Sequence, residues 1–86
     1  MKLLKFTAPW CGQCKVLTKQ LNGFDACEIV SYNVDDEETE EIIDKYGVKN
    51  LPLLILVNED GEEVKRWAGL VNVGTLKNEI SELANA

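Results

Sequence analysis

Histidine is absent from the 86 residues and cysteine occurs three times, which leaves little from which to assemble a metal centre. A tetrahedral site built on Cys11 and Cys14 needs two further soft ligands, and Cys27 is all that remains. No metal is expected. An odd cysteine count also leaves at least one thiol unpaired, which argues for a reducing compartment, the cytoplasm by default, over a disulfide-stapled secreted domain. Basic residues are in deficit: nine Lys plus Arg against fifteen Asp plus Glu give a net charge of −6. A nucleic-acid ligand needs a basic face for its phosphates and is not expected. The acids concentrate between Asp35 and Glu41, where they read as the solvated start of a helix. Apolar runs are short, and a 45% hydrophobic fraction suits a globular fold but no membrane span. The opening MKLLKF resembles a signal peptide for a few residues, but Thr7, Pro9 and the paired cysteines interrupt it, so it reads as a buried strand. No repeat, linker or low-complexity tract divides the chain, and one domain over residues 1–86 with a small core is expected.

Chemistry is concentrated in Phe6 to Lys15, FTAPWCGQCK. Cys11 and Cys14 follow an apolar segment and precede a helical pattern. If Gly12 opens a helix, both sulfurs lie in its first turn, where backbone N–H groups lack intrahelical acceptors and the macrodipole is positive. A thiolate is stabilised there, below the free-thiol pKa of about 8.5. The spacing suits a reversible disulfide; half a zinc site or a coincidence are the plainer readings of one such pair.

Around it the pattern predicts a βαβαββα order. Lys2 to Thr7 alternates weakly, with Leu4 and Phe6 on one side and Leu3 and Lys5 on the other, in a strand covered on both faces. Val16, Leu17 and Leu21 are expected to form the sheet-facing stripe of the first helix, which Asn22 and Gly23 stop. Cys27 to Val34 reads as a second strand, parallel to the first through a right-handed crossover. Asp35 or Asp36 is expected to cap the next helix, with Ile42, Ile43 and Tyr46 inside and Gly47 at its end. The run Leu53 to Val57, after Pro52, is a strand buried on both sides. Asn58 to Gly61 turns the chain into an antiparallel edge strand, Glu62 to Ala68. Asn72 or Thr75 begins a last helix with Leu76, Ile80 and Leu83 inward. An α/β sheet with the first strand central and helices on both faces places Cys11 and Cys14 at a sheet edge open to partners.

With these elements in place, the chain resembles the thioredoxin family. Trp10-Cys11-Gly12-Gln13-Cys14-Lys15 is similar to its WCGPCK site, Tyr46-Gly47-Val48 and Leu51-Pro52 to the segment leading to its cis-proline, and Gly69 to a glycine near that site. Asn33-Val34-Asp35 resembles the end of the family's strand after the active-site helix. The resemblance implies a minimal thioredoxin fold with a four-stranded mixed sheet, lacking the extra N-terminal strand and helix. It also implies thiol–disulfide exchange on protein disulfides, with Cys11 as nucleophile, Cys14 as resolving thiol, and no cofactor beyond their redox-active disulfide. Pro52 in cis would lie against the sulfurs and free the Leu51 backbone to pair with an extended substrate; otherwise it is an ordinary strand-start proline. Trp10, Gly12, Gln13 and Gly69 would shape the groove. Implied partners are thioredoxin reductase or a similar reductase and targets such as ribonucleotide reductase, met by a monomer.

The sequence departs from that family in three places. Lys5 stands where the family carries a buried acid: buried, it would be neutral or would favour a thiolate, and otherwise its ammonium runs to solvent without chemistry. Gln13 replaces proline between the cysteines, which points to a less reducing couple. Lys19 replaces a helix-kinking proline, so a straighter helix is expected. Cys27 reads as a small buried residue at a strand start. Two other functions compete: a glutaredoxin-like protein, recharged by glutathione or serving as a hydrogen donor for ribonucleotide reductase, which Gln13 and the short length favour while the absence of a glycine pair before the last helix weighs against the glutathione version, and a binding subunit in which redox chemistry is incidental.

Overall fold

The structure is a computed structural model that describes residues 1–85. Its elements are β1 (Lys2–Thr7), α1 (Gly12–Gln20), β2 (Glu28–Asn33), a 3-10 turn (Glu37–Thr39), α2 (Glu40–Tyr46), β3 (Leu53–Val57), β4 (Glu63–Ala68) and α3 (Val73–Ala84). The sheet runs β2-β1-β3-β4, with β1 parallel to β2 and the other two pairings antiparallel. This is the expected βαβαββα order with the first strand inside.

Strand alternation divides the core between the two faces. Leu3, Leu54 and Leu56 pack with Leu17, Leu21, Leu76 and Ile80, so α1 and α3 cover one side. On the other side Leu4, Phe6, Leu53, Ile55 and Val57 meet Val30, Tyr32, Ile42 and Tyr46, which brings α2 against the sheet. All five residues of β3 are buried, the signature of a strand covered on both faces. The charged strand β4 forms one edge and β2 the other.

Several local expectations are corrected. Val16 is 45% exposed, whereas Leu17 is fully buried; consecutive helix positions lie about 100° apart, so only one of the pair can face the sheet. Neither Asp35 nor Asp36 caps α2 with its side chain: a 3-10 turn intervenes, and Asp36 precedes it without a side-chain bond. The second strand is trimmed at both ends, leaving Cys27 just before it and half-buried against the α1/α3 cluster. Burial pushes the Cys27 thiol up, against a smaller opposing effect of the chain's α-amino charge. Trp67 on β4 turns towards α3 and donates its indole N–H to Glu79 Oε2 at 2.6 Å.

Strand directions position the chemistry. Register pairs Thr7 with Asn33, Phe6 with Leu53 and Leu53 with Ala68. The segments after β1 and β2, the segment before β3 and the segment after β4 therefore all emerge at one end of the sheet. Cys11 and Cys14 sit at that end and not along a lateral edge.

Candidate active site

Cys11 is the N-cap of α1. Its backbone is extended (φ −93°, ψ 108°), and its sulfur accepts the backbone N–H of Cys14 at 3.2 Å. One of the helix's otherwise unmatched donors is thus aimed at sulfur. The first turn contains no acidic residue, so nothing opposes the positive helix terminus. Cys11 and Cys14 are joined as a disulfide with their Cα atoms 5.3 Å apart. Both are largely buried, Cys14 more so, at 2% exposed against 9% for Cys11. They pack with Ala8, Val34 and Leu51.

Two grooves flank the pair. One of about 360 Å³ runs past Cys11 and is lined by Trp10, Val34, Ile43, Val48 and Leu51. Trp10 is 70% exposed, held by an indole N–H bond to Asp35 Oδ2 at 3.1 Å. Gly12 and Gln13 lie exposed at the helix start beside it. The Leu51–Pro52 peptide bond is cis and Pro52 is buried. The Pro52 carbonyl accepts the N–H of Gly69 at 2.9 Å, which ties the end of β4 to the start of β3. Gly69 takes a left-handed φ of 78° there, a conformation that glycine adopts without steric cost. Leu51, one residue earlier, makes no backbone hydrogen bond among the described residues.

The second groove, about 450 Å³, opens beside Cys14 between α1 and the end of β2, past Lys15, Thr18, Lys19 and Asn33. Beneath it lies Lys5, 9% exposed, whose ammonium donates to Thr18 Oγ1 at 3.2 Å. The Thr18 hydroxyl donates in turn to the Cys14 carbonyl at 2.9 Å. The Lys5 ammonium therefore ends on Thr18 instead of running to solvent, and burial lowers its pKa.

The sequence-predicted residues Trp10, Cys11, Gly12, Gln13, Cys14, Leu51, Pro52 and Gly69 share this end of the sheet. Cys27 lies away from it, just before β2. Sequence reasoning did not place Thr18, Val34 or Asp35 at the site. Thr18 carried a usable signal, since a helical threonine four residues after Cys14 can bond back to its carbonyl. Val34 and Asp35 follow the strand parallel to β1, and parallel strands deliver their following residues to the same end of a sheet. Among the described residues no group of three or more His, Cys, Asp or Glu converges as a metal site, and no helix is long and apolar enough to cross a membrane.

Comparison with known proteins places this geometry among relatives. The family model described as Thioredoxin matches residues 1–82. A thioredoxin from Chlamydia caviae is 40% identical over 79 residues, covering 86% of this chain and 74% of that one. The SPbeta prophage-derived thioredoxin-like protein YosR of Bacillus subtilis is 34% identical over 96% of this chain and 94% of its own length. Among solved structures, a mutant thioredoxin from Halobacterium salinarum superposes with a TM-score of 0.79 at 30% identity, over 95% of this chain and 73% of that one.

Proposed function

Since the chain belongs to the thioredoxin family and is a thiol–disulfide oxidoreductase, we propose that Cys11 is its attacking thiolate and Cys14 its resolving thiol. The observation that carries this assignment is the Cys11 sulfur itself. It is a helix cap, receives the Cys14 N–H, is the less buried of the two, and borders the apolar groove.

In the first step the Cys11 thiolate attacks one sulfur of a target disulfide, forming a mixed disulfide while the other target sulfur leaves as thiolate and takes up a proton. The Cys14 thiolate then attacks the Cys11 sulfur. The intramolecular disulfide forms, the mixed disulfide breaks, and the second target sulfur leaves. The target is reduced by two electrons and the carrier ends in the oxidised state described above.

Trp10, Gly12, Gln13, Leu51, Pro52 and Gly69 are proposed to bind the substrate segment around its disulfide. The unpaired Leu51 backbone supports strand-like pairing with an extended chain, and the exposed Trp10 supplies apolar surface. Family membership implies a reductase and disulfide-containing targets in general. The finer proposal is recharging by thioredoxin reductase or a similar enzyme, targets such as ribonucleotide reductase, and action as a cytoplasmic monomer, one thioredoxin-like domain over residues 1–86, with no metal or further cofactor. The net charge of −6 argues against nucleic acid or an anionic membrane as partner.

Two measurements test the reading. A Cys14→Ser variant should accumulate a covalent adduct with a disulfide target, whereas Cys11→Ser should not; equal trapping by both overturns the assignment. The wild-type protein should reduce insulin with NADPH and thioredoxin reductase, but not with glutathione and glutathione reductase. Turnover on glutathione alone overturns the proposed electron source.

A further inference from the structure

Lys5 is the one charged side chain among the buried residues described. A buried ammonium is costly unless an opposite charge or several hydrogen-bond acceptors offset it. It carries three donors, and the single side-chain acceptor found for it is the neutral Thr18 hydroxyl. Among the described residues no carboxylate forms an ion pair with it. Its strand neighbours are Ser31 on β2 and Leu54 on β3. The α3 side chains buried on this face are Leu76 and Ile80, and the other charges at the groove above it, Lys15 and Lys19 on α1, are cationic. Of the two thiols on this face, Cys27 lies before β2 towards the other end of the sheet, whereas Cys14, whose backbone carbonyl is joined to Lys5 through Thr18, can become an anion once the disulfide is reduced.

We infer that Lys5, acting through Thr18, is a positioning residue that holds a positive charge behind Cys14 and favours its thiolate. The disulfide offers this cation no counter-charge, and reduction supplies one. Lys5 therefore stabilises the reduced form relative to the oxidised form and makes the couple less reducing, in the same direction as Gln13. It also raises the fraction of Cys14 ready to attack the Cys11 sulfur in the resolving step, and in that respect rests on the role of Cys14 proposed above. The relay carries no proton to sulfur, because the Thr18 hydroxyl is committed to a carbonyl. Its action is electrostatic.

The test reads Cys14 directly. In a reduced protein carrying Cys11→Ser and Cys27→Ala, Cys14 is the remaining thiol, and thiolate absorbance near 240 nm is followed against pH. An opposite charge within about 4–6 Å shifts a pKa by about 1–3 units. Lys5→Met should thus move the Cys14 titration up by about one unit or more, roughly a tenfold loss of thiolate at a given pH below it. Lys5→Arg, which keeps the charge, should stay near the parent. Thr18→Val, which keeps the lysine but removes its tether, should fall between. In the protein with both active-site cysteines, Lys5→Met should shift the glutathione equilibrium about tenfold towards the more reducing side, about 30 mV. A folded Lys5→Met protein whose Cys14 titration coincides with the parent overturns the inference. Should Lys5→Met fail to fold, Lys5→Gln decides by the same criterion. The titration needs no substrate and no Cys11, so a failure of the Cys14 resolving role would appear in the trapping experiment and not here.

Discussion

Replacing Leu17 by alanine should reveal how α1, and with it the disulfide, is held to the sheet. Within α1 only Cys14 and Leu17 are buried, and Leu21 follows at the cap, so Leu17 is the central anchor. It packs in a cluster with Leu3 of β1, Leu54 and Leu56 of β3, and Leu76 and Ile80 of α3. Walls contributed by two strands and another helix cannot all relax inwards, so much of the deleted volume should remain as a cavity. That puts the cost in the middle to upper part of the Leu→Ala range, about 3–4 kcal/mol. For a chain of this size the total stability is on the order of 4–13 kcal/mol, and the corresponding fall in Tm is at least about 12 °C. The assay is urea unfolding of the oxidised protein, followed by far-UV circular dichroism and tryptophan fluorescence, with Val16→Ala as the comparison. Val16 is the preceding residue in the same helix and is largely exposed, so its truncation should stay within about 0.5 kcal/mol. A Leu17→Ala cost below about 1 kcal/mol, or equal costs for the two variants, would refute the packing argument.

Other expectations concern the parts that frame the site. Tyr46→Phe removes a 2.6 Å bond from the phenol to the Gly61 carbonyl and should cost about 1 kcal/mol in the same unfolding assay; no loss would mean that the β3–β4 turn does not depend on it. Gly69→Ala should cost about 1–2 kcal/mol because of the left-handed φ alone, since its Cβ would meet nothing within 4 Å. A larger loss would point to a contact not yet recognised. Gln13→Pro should make the Cys11–Cys14 couple more reducing by about tenfold against glutathione, about 30 mV; an unchanged or less reducing couple contradicts the reading of Gln13. On the acid side, the Lys65 ammonium and then the Trp67 indole N–H hold the Glu79 carboxyl below its ordinary range. A carboxylate lowered on folding contributes stability above its unfolded pKa and loses it as pH falls through the folded one. Trp67 fluorescence, read in a Trp10→Phe background, should therefore change in that window, and Glu79→Gln should abolish the change.

The parts of the fold legible in the sequence were those with a strong physical period. Leu53 to Val57 is too continuously apolar to be anything but a covered strand, and Leu76 and Ile80 recur with the spacing of one helix face. Cys11 and Cys14 were legible because their spacing and the helix that follows suit a reversible disulfide, while too few further soft ligands remain for a metal site. Val16 and Leu17 were not separable: both are apolar, and only the phase at which α1 docks decides which one turns inwards. Capping by Asp35 or Asp36 failed for a related reason, since a local preference for acids at a helix start cannot say whether a 3-10 turn comes first. Lys5 required the tertiary structure. Its sequence position left the ammonium free to reach solvent, and it is Thr18, one turn past Cys14, that holds it inside.

The hydrogen bond from the Cys14 backbone N–H to the Cys11 sulfur also supplies a reporter. An amide proton aimed at a sulfur atom is deshielded more strongly as that sulfur gains negative charge, so the Cys14 amide resonance should track the ionisation of Cys11 without any label at the reacting atom. The same bond separates two substitutions usually treated as equivalent. Serine at position 11 keeps an oxygen that can accept this N–H, whereas alanine leaves the helix start uncapped. A comparison of the two would divide the loss of chemistry from the fraying of its scaffold.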